Sequence, residues 1–119
     1  MIKDDKQLRK MARRRGSRKA RTWLRAAPKS KEHTLGLLTS TLESLELVEQ
    51  LFRWGAIEVF ACEIDSYAWG ENTGKLVIAL PRAPAKRKKI FRWSAQISSS
   101  LGFDPTPDDG QTHLFVMLD

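Results

Sequence analysis

The chain has 119 residues, of which 41% are hydrophobic and 29% charged, and it carries a net charge of +7 at pH 7. That length suits one domain, no stretch approaches the roughly 20 apolar residues of a membrane-spanning helix, and a lone cysteine, Cys62, rules out an intramolecular disulfide framework. A free cysteine in an apolar run behaves as a small buried hydrophobe, and the expectation is a cytoplasmic protein.

The charge is unevenly spread. Residues 1–31 carry 13 Lys and Arg against Asp4 and Asp5, a net of +11, whereas residues 32–119 carry a net of −4. The N-terminus has no apolar core of a secretory signal, and the acids at its start and its scarcity of serine argue against a mitochondrial presequence. Apolar residues are sparse here: Ile2, Leu8, Met11, Trp23 and Leu24. So few cannot readily offset the entropy of ordering. The expectation is a basic arm over 1–31, flexible when free or helical when bound, joined to a single α+β domain over 32–119. Good helix formers favour short helices at 4–15 and 18–26, interrupted by Gly16-Ser17 and stopped by Pro28.

The stretch HTLGLLT, 33–39, reads either as a first strand or as an apolar lead-in to the next helix. Ser40 and Glu43 then form an S-x-x-E capping box. Leu42, Leu45, Val48 and Phe52 follow on one stripe, widened by Leu47, Leu51 and Trp54, which predicts an amphipathic helix over 41–54 stopped by Gly55. AIEVFACEID, 56–65, alternates as a strand covered on one face and half-covered on the other. A polar connection over 66–74 leads to KLVIAL, 75–80, and its shortness favours an antiparallel pair. Pro84 starts a second helix, about 85–101, with Ile90, Trp93/Ser94, Ile97 and Leu101 as its buried stripe and Gly102 as its stop. DPTPDDG, 104–110, is a rigid acidic loop, and HLFVML, 113–118, is the last strand.

The element order is helix, strand, strand, helix, strand, or (β)αββαβ if 33–39 is extended. That order over about 34–118 resembles the ferredoxin-like split βαβ arrangement, which implies a small antiparallel sheet with two helices on one face. Such a scaffold hosts many functions and supplies none.

Functional signals concentrate in the basic segment. Phosphate backbones attract Lys and Arg through counterion release, without sequence-specific contacts, and arginine-rich segments fold on RNA. The candidate nucleic-acid ligands are Arg9, Lys10, Arg13, Arg14, Arg15, Arg18, Lys19, Arg21 and Arg25, with Arg14, Arg18, Arg21 and Arg25 sharing a face if the helix is continuous. Trp23 is a candidate platform for an unpaired base. Lys86, Arg87, Lys88 and Lys89 form a second basic cluster in the first turn of the later helix, where positive charge opposes the helix dipole. Tyr67 and Trp69 read as a cover for one end of the core, with base stacking as the second option.

Other chemistry finds weak support. Glu63, Asp65 and Glu71 lack the rest of a metal or acid–base site. In the 104–110 loop Asp109 stands where a calcium loop needs glycine. His33 and His113 have no metal-ligand spacing, and a Cys62–His113 nucleophile pair would lack an orienting acid. No glycine-rich phosphate loop occurs. The expectation is therefore a protein that is not an enzyme, with no catalytic residue, metal or cofactor: a module that binds nucleic acid, RNA in preference to DNA, with little sequence specificity. The second reading is a protein-interaction or assembly module, including a homo-oligomer, whose arm docks on its own or a partner's acidic surface. No membrane partner is expected.

Overall fold

The computed structural model describes residues 4–119; Met1, Ile2 and Lys3 of the expected arm lie outside the described residues. Asp4 opens the first helix, α1 (Asp5–Ala12), with a capping box: its carboxylate accepts from the Gln7 N–H, and the Gln7 side chain accepts in turn from the Asp4 N–H. A short strand, β1 (Arg18–Lys19), runs directly into helix α2 (Ala20–Arg25). Then come β2 (Glu32–Leu35), helix α3 (Thr41–Arg53), β3 (Glu58–Cys62), β4 (Asp65–Tyr67), β5 (Gly70–Thr73), β6 (Lys75–Ala79), helix α4 (Pro84–Ser100) and β7 (His113–Met117).

Helix α3 begins as its sequence dictates. The Ser40 hydroxyl accepts from the Glu43 N–H at 3.1 Å. The Glu43 carboxylate reaches one residue further back than a standard box and accepts from the Thr39 hydroxyl and N–H, which holds its pKa below the ordinary glutamate value. Gly55 and Gly102 follow α3 and α4 with positive φ, at 106° and 80°, the left-handed stop that glycine provides without a Cβ clash.

The α+β class is borne out, with four strands in the order β1-β3-β6-β7, every neighbour antiparallel. Val59 and Ala61, Leu76 and Ile78, and Leu114 and Val116 point to one face, where α2, α3 and α4 pack their own buried residues, among them Leu24, Leu51 and Ile90. Phe60, Cys62, Val77 and Phe115 point to the other, where α1 lays Leu8 and Met11 over them. The alternation in 56–65 anticipated this unequal covering.

Two expectations need correction. The order is not ferredoxin-like. β2 does not enter the main sheet; it pairs in parallel with β5 inside a second, three-stranded sheet of order β2-β5-β4. The connection 66–74 is itself a hairpin, and its β5 offers β2 a partner edge. Glu63, at φ 54°, turns the chain out of β3, and Gly70 lets the Glu32 backbone approach so closely that any Cβ there would overlap the Glu32 carbonyl.

Nor is the basic segment an appendage. Leu8, Met11, Ala20, Trp23 and Leu24 are all buried, and β1 pairs with β3, Arg18 opposite Ala61 and Lys19 opposite Phe60. The physical reason is that the segment need not build a core of its own. Its few apolar side chains land on faces that the sheet and α3 already present, so each buries its area against a preformed surface. Among the described residues no helix is long and apolar enough to cross a membrane.

Candidate nucleic-acid interface

Folding divides the cations of the basic segment into two groups. The half built on α2 is spent internally. Arg21 donates to both Glu49 carboxylate oxygens, Nε to Oε1 at 2.7 Å and Nη2 to Oε2 at 2.9 Å, and its guanidinium lies 3.8 Å from the Phe52 ring centre. Arg25 approaches the same Glu49 at 3.5 Å. Lys19 lies 3.8 Å from Glu58.

Trp23 is not a stacking platform. It is only 5% exposed, its ring stacks on His33 with centroids 4.9 Å apart, and its indole N–H donates to Glu71 at 2.8 Å. His33 completes this buried network with Nδ1 2.8 Å from the Trp23 carbonyl oxygen and Nε2 3.4 Å from Glu71. This network gives His33, Trp23 and Glu71 a structural role that no local sequence signal disclosed, because its members are up to 48 residues apart.

The second basic cluster also splits. Arg87 is 8% exposed. It donates to Asp108 through Nε at 3.1 Å and Nη2 at 2.7 Å, and to the Pro81 carbonyl through Nη1 at 3.1 Å. Hydrogen bonding to the Asp108 carboxylate pushes the guanidinium pKa up and holds the carboxylate pKa down. The sequence-based assignment of Arg87 to ligand binding is therefore corrected: it ties the start of α4 to the acidic loop. Lys86, Lys88 and Lys89 are exposed, but α4 packs on the sheet face opposite α1, so they do not join the N-terminal cations in one patch.

What remains is the outer surface of α1 and the turn that follows it. Arg9, Lys10, Arg13, Arg14, Arg15 and Arg18 are all exposed. Arg14 has Glu63 at 3.9 Å, a carboxylate it shares with Lys75. Arg18 donates to the Arg15 and Ser17 carbonyls at 2.8 and 2.9 Å, which fixes the turn. Arg9, Lys10, Arg13 and Arg15 have no carboxylate partner among the described residues. The turn breaks the single helical face expected for Arg14, Arg18, Arg21 and Arg25: the first two lie in and just after the turn, the last two on α2. The Ser17 hydroxyl donates to the Met11 carbonyl at 2.8 Å, and the Ile64 N–H reaches the Gly16 carbonyl at 3.5 Å, so the turn is tied to the β3–β4 connection.

Tyr67 and Trp69 do not cap the core. They are 48% and 49% exposed and stack on each other with centroids 5.1 Å apart and planes 2° from parallel. Cys62 is buried and desolvation pushes its thiol pKa up. It lies at the β6 register position of Lys75, whereas His113 lies at that of Ala79, so the two sit at opposite ends of the sheet and do not meet. Among the described residues no group of three or more His, Cys, Asp or Glu converges to hold a metal.

No protein-family model matches the chain, and comparison with curated proteins and with solved structures gives no match either.

Proposed function

We propose that the protein is a non-enzymatic nucleic-acid-binding module that grips the phosphate backbone, RNA in preference to DNA, through the outer face of α1 and the turn after it. The observation that carries this reading is the set Arg9, Lys10, Arg13, Arg15 and Arg18: five exposed cations within ten residues, none ion-paired among the described residues. Stability alone does not call for them. Arg9 and Lys10 complement the C-terminal end of α1, a gain of about 0.3–1 kcal/mol each, but cations beyond the helix end chiefly repel one another. A repulsive cluster held in a defined turn suits an anionic ligand whose contacts relieve the repulsion. Lys86, Lys88 and Lys89 form a separate, weaker contact region on α4.

Arg21 and Arg25 favour the second reading for their own half of the segment, since they dock on the chain's own Glu49. The two readings thus apply to different residues, the internal one to α2 and the external one to α1 and its turn.

The test is binding of a fluorescein-labelled oligouridylate, read by anisotropy at low salt. Replacing Arg9, Lys10, Arg13, Arg15 and Arg18 with Gln should abolish binding while leaving the core packing intact by circular dichroism, since the Arg18 bonds it removes are confined to the exposed turn. Replacing Lys86, Lys88 and Lys89 should weaken it modestly. Equal binding by the wild-type protein and the fivefold variant would refute the proposal.

A further inference from the structure

The open edge of the main sheet lies at β7, and it lies at the bottom of a slot. Leu80 N–H donates to the Thr112 carbonyl and Leu118 N–H to the Gly74 carbonyl. That parity points the Thr112 carbonyl, the Leu118 N–H and the backbone groups of residues 114 and 116 toward β6, and those of 113, 115 and 117 outward. The Asp5 carboxylate takes the His113 N–H at 3.1 Å and the Thr112 N–H at 3.0 Å, closing the upstream end. The N–H and C=O groups of Phe115 and Met117 have no hydrogen-bond partner among the described residues. The start of α1 forms one wall of the slot, the end of α4 and the loop after it form the other, and the slot, open to solvent, has a volume of about 750 Å³.

The lining is apolar and acidic. Leu8, Phe103 and Phe115 supply apolar surface, and Asp4, Asp5, Asp104 and Asp109 supply negative charge, with no Lys or Arg among the described lining residues. Both Asp5 oxygens and Asp4 Oδ1 accept hydrogen bonds within the protein, whereas the Asp104 and Asp109 carboxylates have no hydrogen-bond or ion-pair partner among the described residues. On a chain of net charge +7, this is an acidic enclave.

We infer that the β7 edge is a docking site for a short extended peptide segment bearing Lys or Arg beside apolar side chains, added as a fifth strand opposite Phe115 and Met117. Main-chain pairing supplies the binding, and the charges of Asp104 and Asp109 select the sequence. Self-association through the same edge is disfavoured, because antiparallel β7–β7 pairing would place one copy's aspartates against the other's.

The probes are the peptides acetyl-Lys-Val-Lys-Ile-Lys-amide, its Glu-Val-Glu-Ile-Glu counterpart, and the basic peptide N-methylated on the residues that face the edge. Each is titrated into the full-length protein with amide chemical shifts as readout. The basic peptide should shift the Phe115 and Met117 amides and slow their hydrogen exchange, and the acidic and N-methylated peptides should not. The double variant Asp104→Asn, Asp109→Asn should bind the basic peptide about fivefold more weakly at low salt. Absence of these shifts at millimolar peptide, equal response to the acidic peptide, or a concentration-dependent dimer that buries Phe115 and Met117 would each overturn the inference.

Discussion

Arg21 and Glu49, 28 residues apart in sequence, meet through two parallel hydrogen bonds of 2.7 and 2.9 Å beneath which Phe52 stacks. This pair docks the basic segment onto α3, so part of the chain's positive charge is structural. Arg21→Gln should lower stability by about 1–2 kcal/mol through loss of the bidentate pair and the cation–ring contact. That corresponds to a fall of roughly 4–8 °C in Tm. RNA affinity, measured below the transition, should be unchanged, because the Arg21 guanidinium is already paired with Glu49.

Leu8 anchors α1 on the sheet beside Met11, Cys62 and Val77. Leu8→Ala should cost about 2–3 kcal/mol by leaving a cavity there. The variant should also expose Cys62, whose thiol should react faster with an aromatic disulfide reagent than in the wild type. An unchanged thiol rate together with unchanged stability would contradict the packing described for α1.

Arg87 is nearly enclosed and depends on Asp108 for its countercharge. Asp108→Asn should destabilise the protein by about 2 kcal/mol, less than for a fully buried pair because Asp108 retains contact with solvent. Thermal unfolding followed by circular dichroism measures this directly.

Stability should fall in two stages as pH drops. His113 has its pKa lowered from 6.5, first by burial and further by nearby Arg9, with Asp5 opposing. The folded state thus resists a proton that the unfolded chain accepts. Stability is complete above about pH 6.5 and declines as pH falls through the folded pKa. Hydrogen bonding to Arg87 lowers the Asp108 pKa. Burial pushes Asp5 up, but the bonds from Thr112 and His113 outweigh it and hold Asp5 low. The contribution of both carboxylates is present above the unfolded aspartate pKa of 3.8 and is lost as pH falls through the folded values. His113→Gln should remove the first decline in Tm and leave the second.

Much of the fold was legible locally. The Ser40 cap, the apolar periodicity and the Gly55 stop mark α3, and Pro84 and Gly102 mark α4; Leu42, expected on the buried stripe, is 67% exposed, and the face turned to the core runs through Ser44, Val48 and Leu51. The strands 58–62, 75–79 and 113–117 announce themselves by β-forming composition. What escaped depends on distant partners. β2 acquires its place only because residues 70–73 offer an edge, a parallel register with 38 residues between partners. The docking of α1 and α2 hides behind their low apolar content, since Leu8 and Met11 suffice only when Phe60, Val77 and Phe115 already form a surface. The helix-forming composition of 4–15 pointed to α1, and the capping box of Asp4 and Gln7, which that reading did not use, fixes where it starts. At the candidate interface, composition identified the cations, but only the folded pairing separates Arg9, Lys10, Arg13, Arg15 and Arg18 from Arg21 and Arg87.

The central claim, that α1 and its turn grip a phosphate backbone, is tested most directly by the salt dependence of oligouridylate binding. Five backbone contacts predict a slope of about −3.5 in log K against log salt for a single strand, reduced toward zero when Arg9, Lys10, Arg13, Arg15 and Arg18 are replaced by Gln. A wild-type protein that fails to bind at low salt, or a slope that the fivefold substitution leaves unaltered, would contradict it.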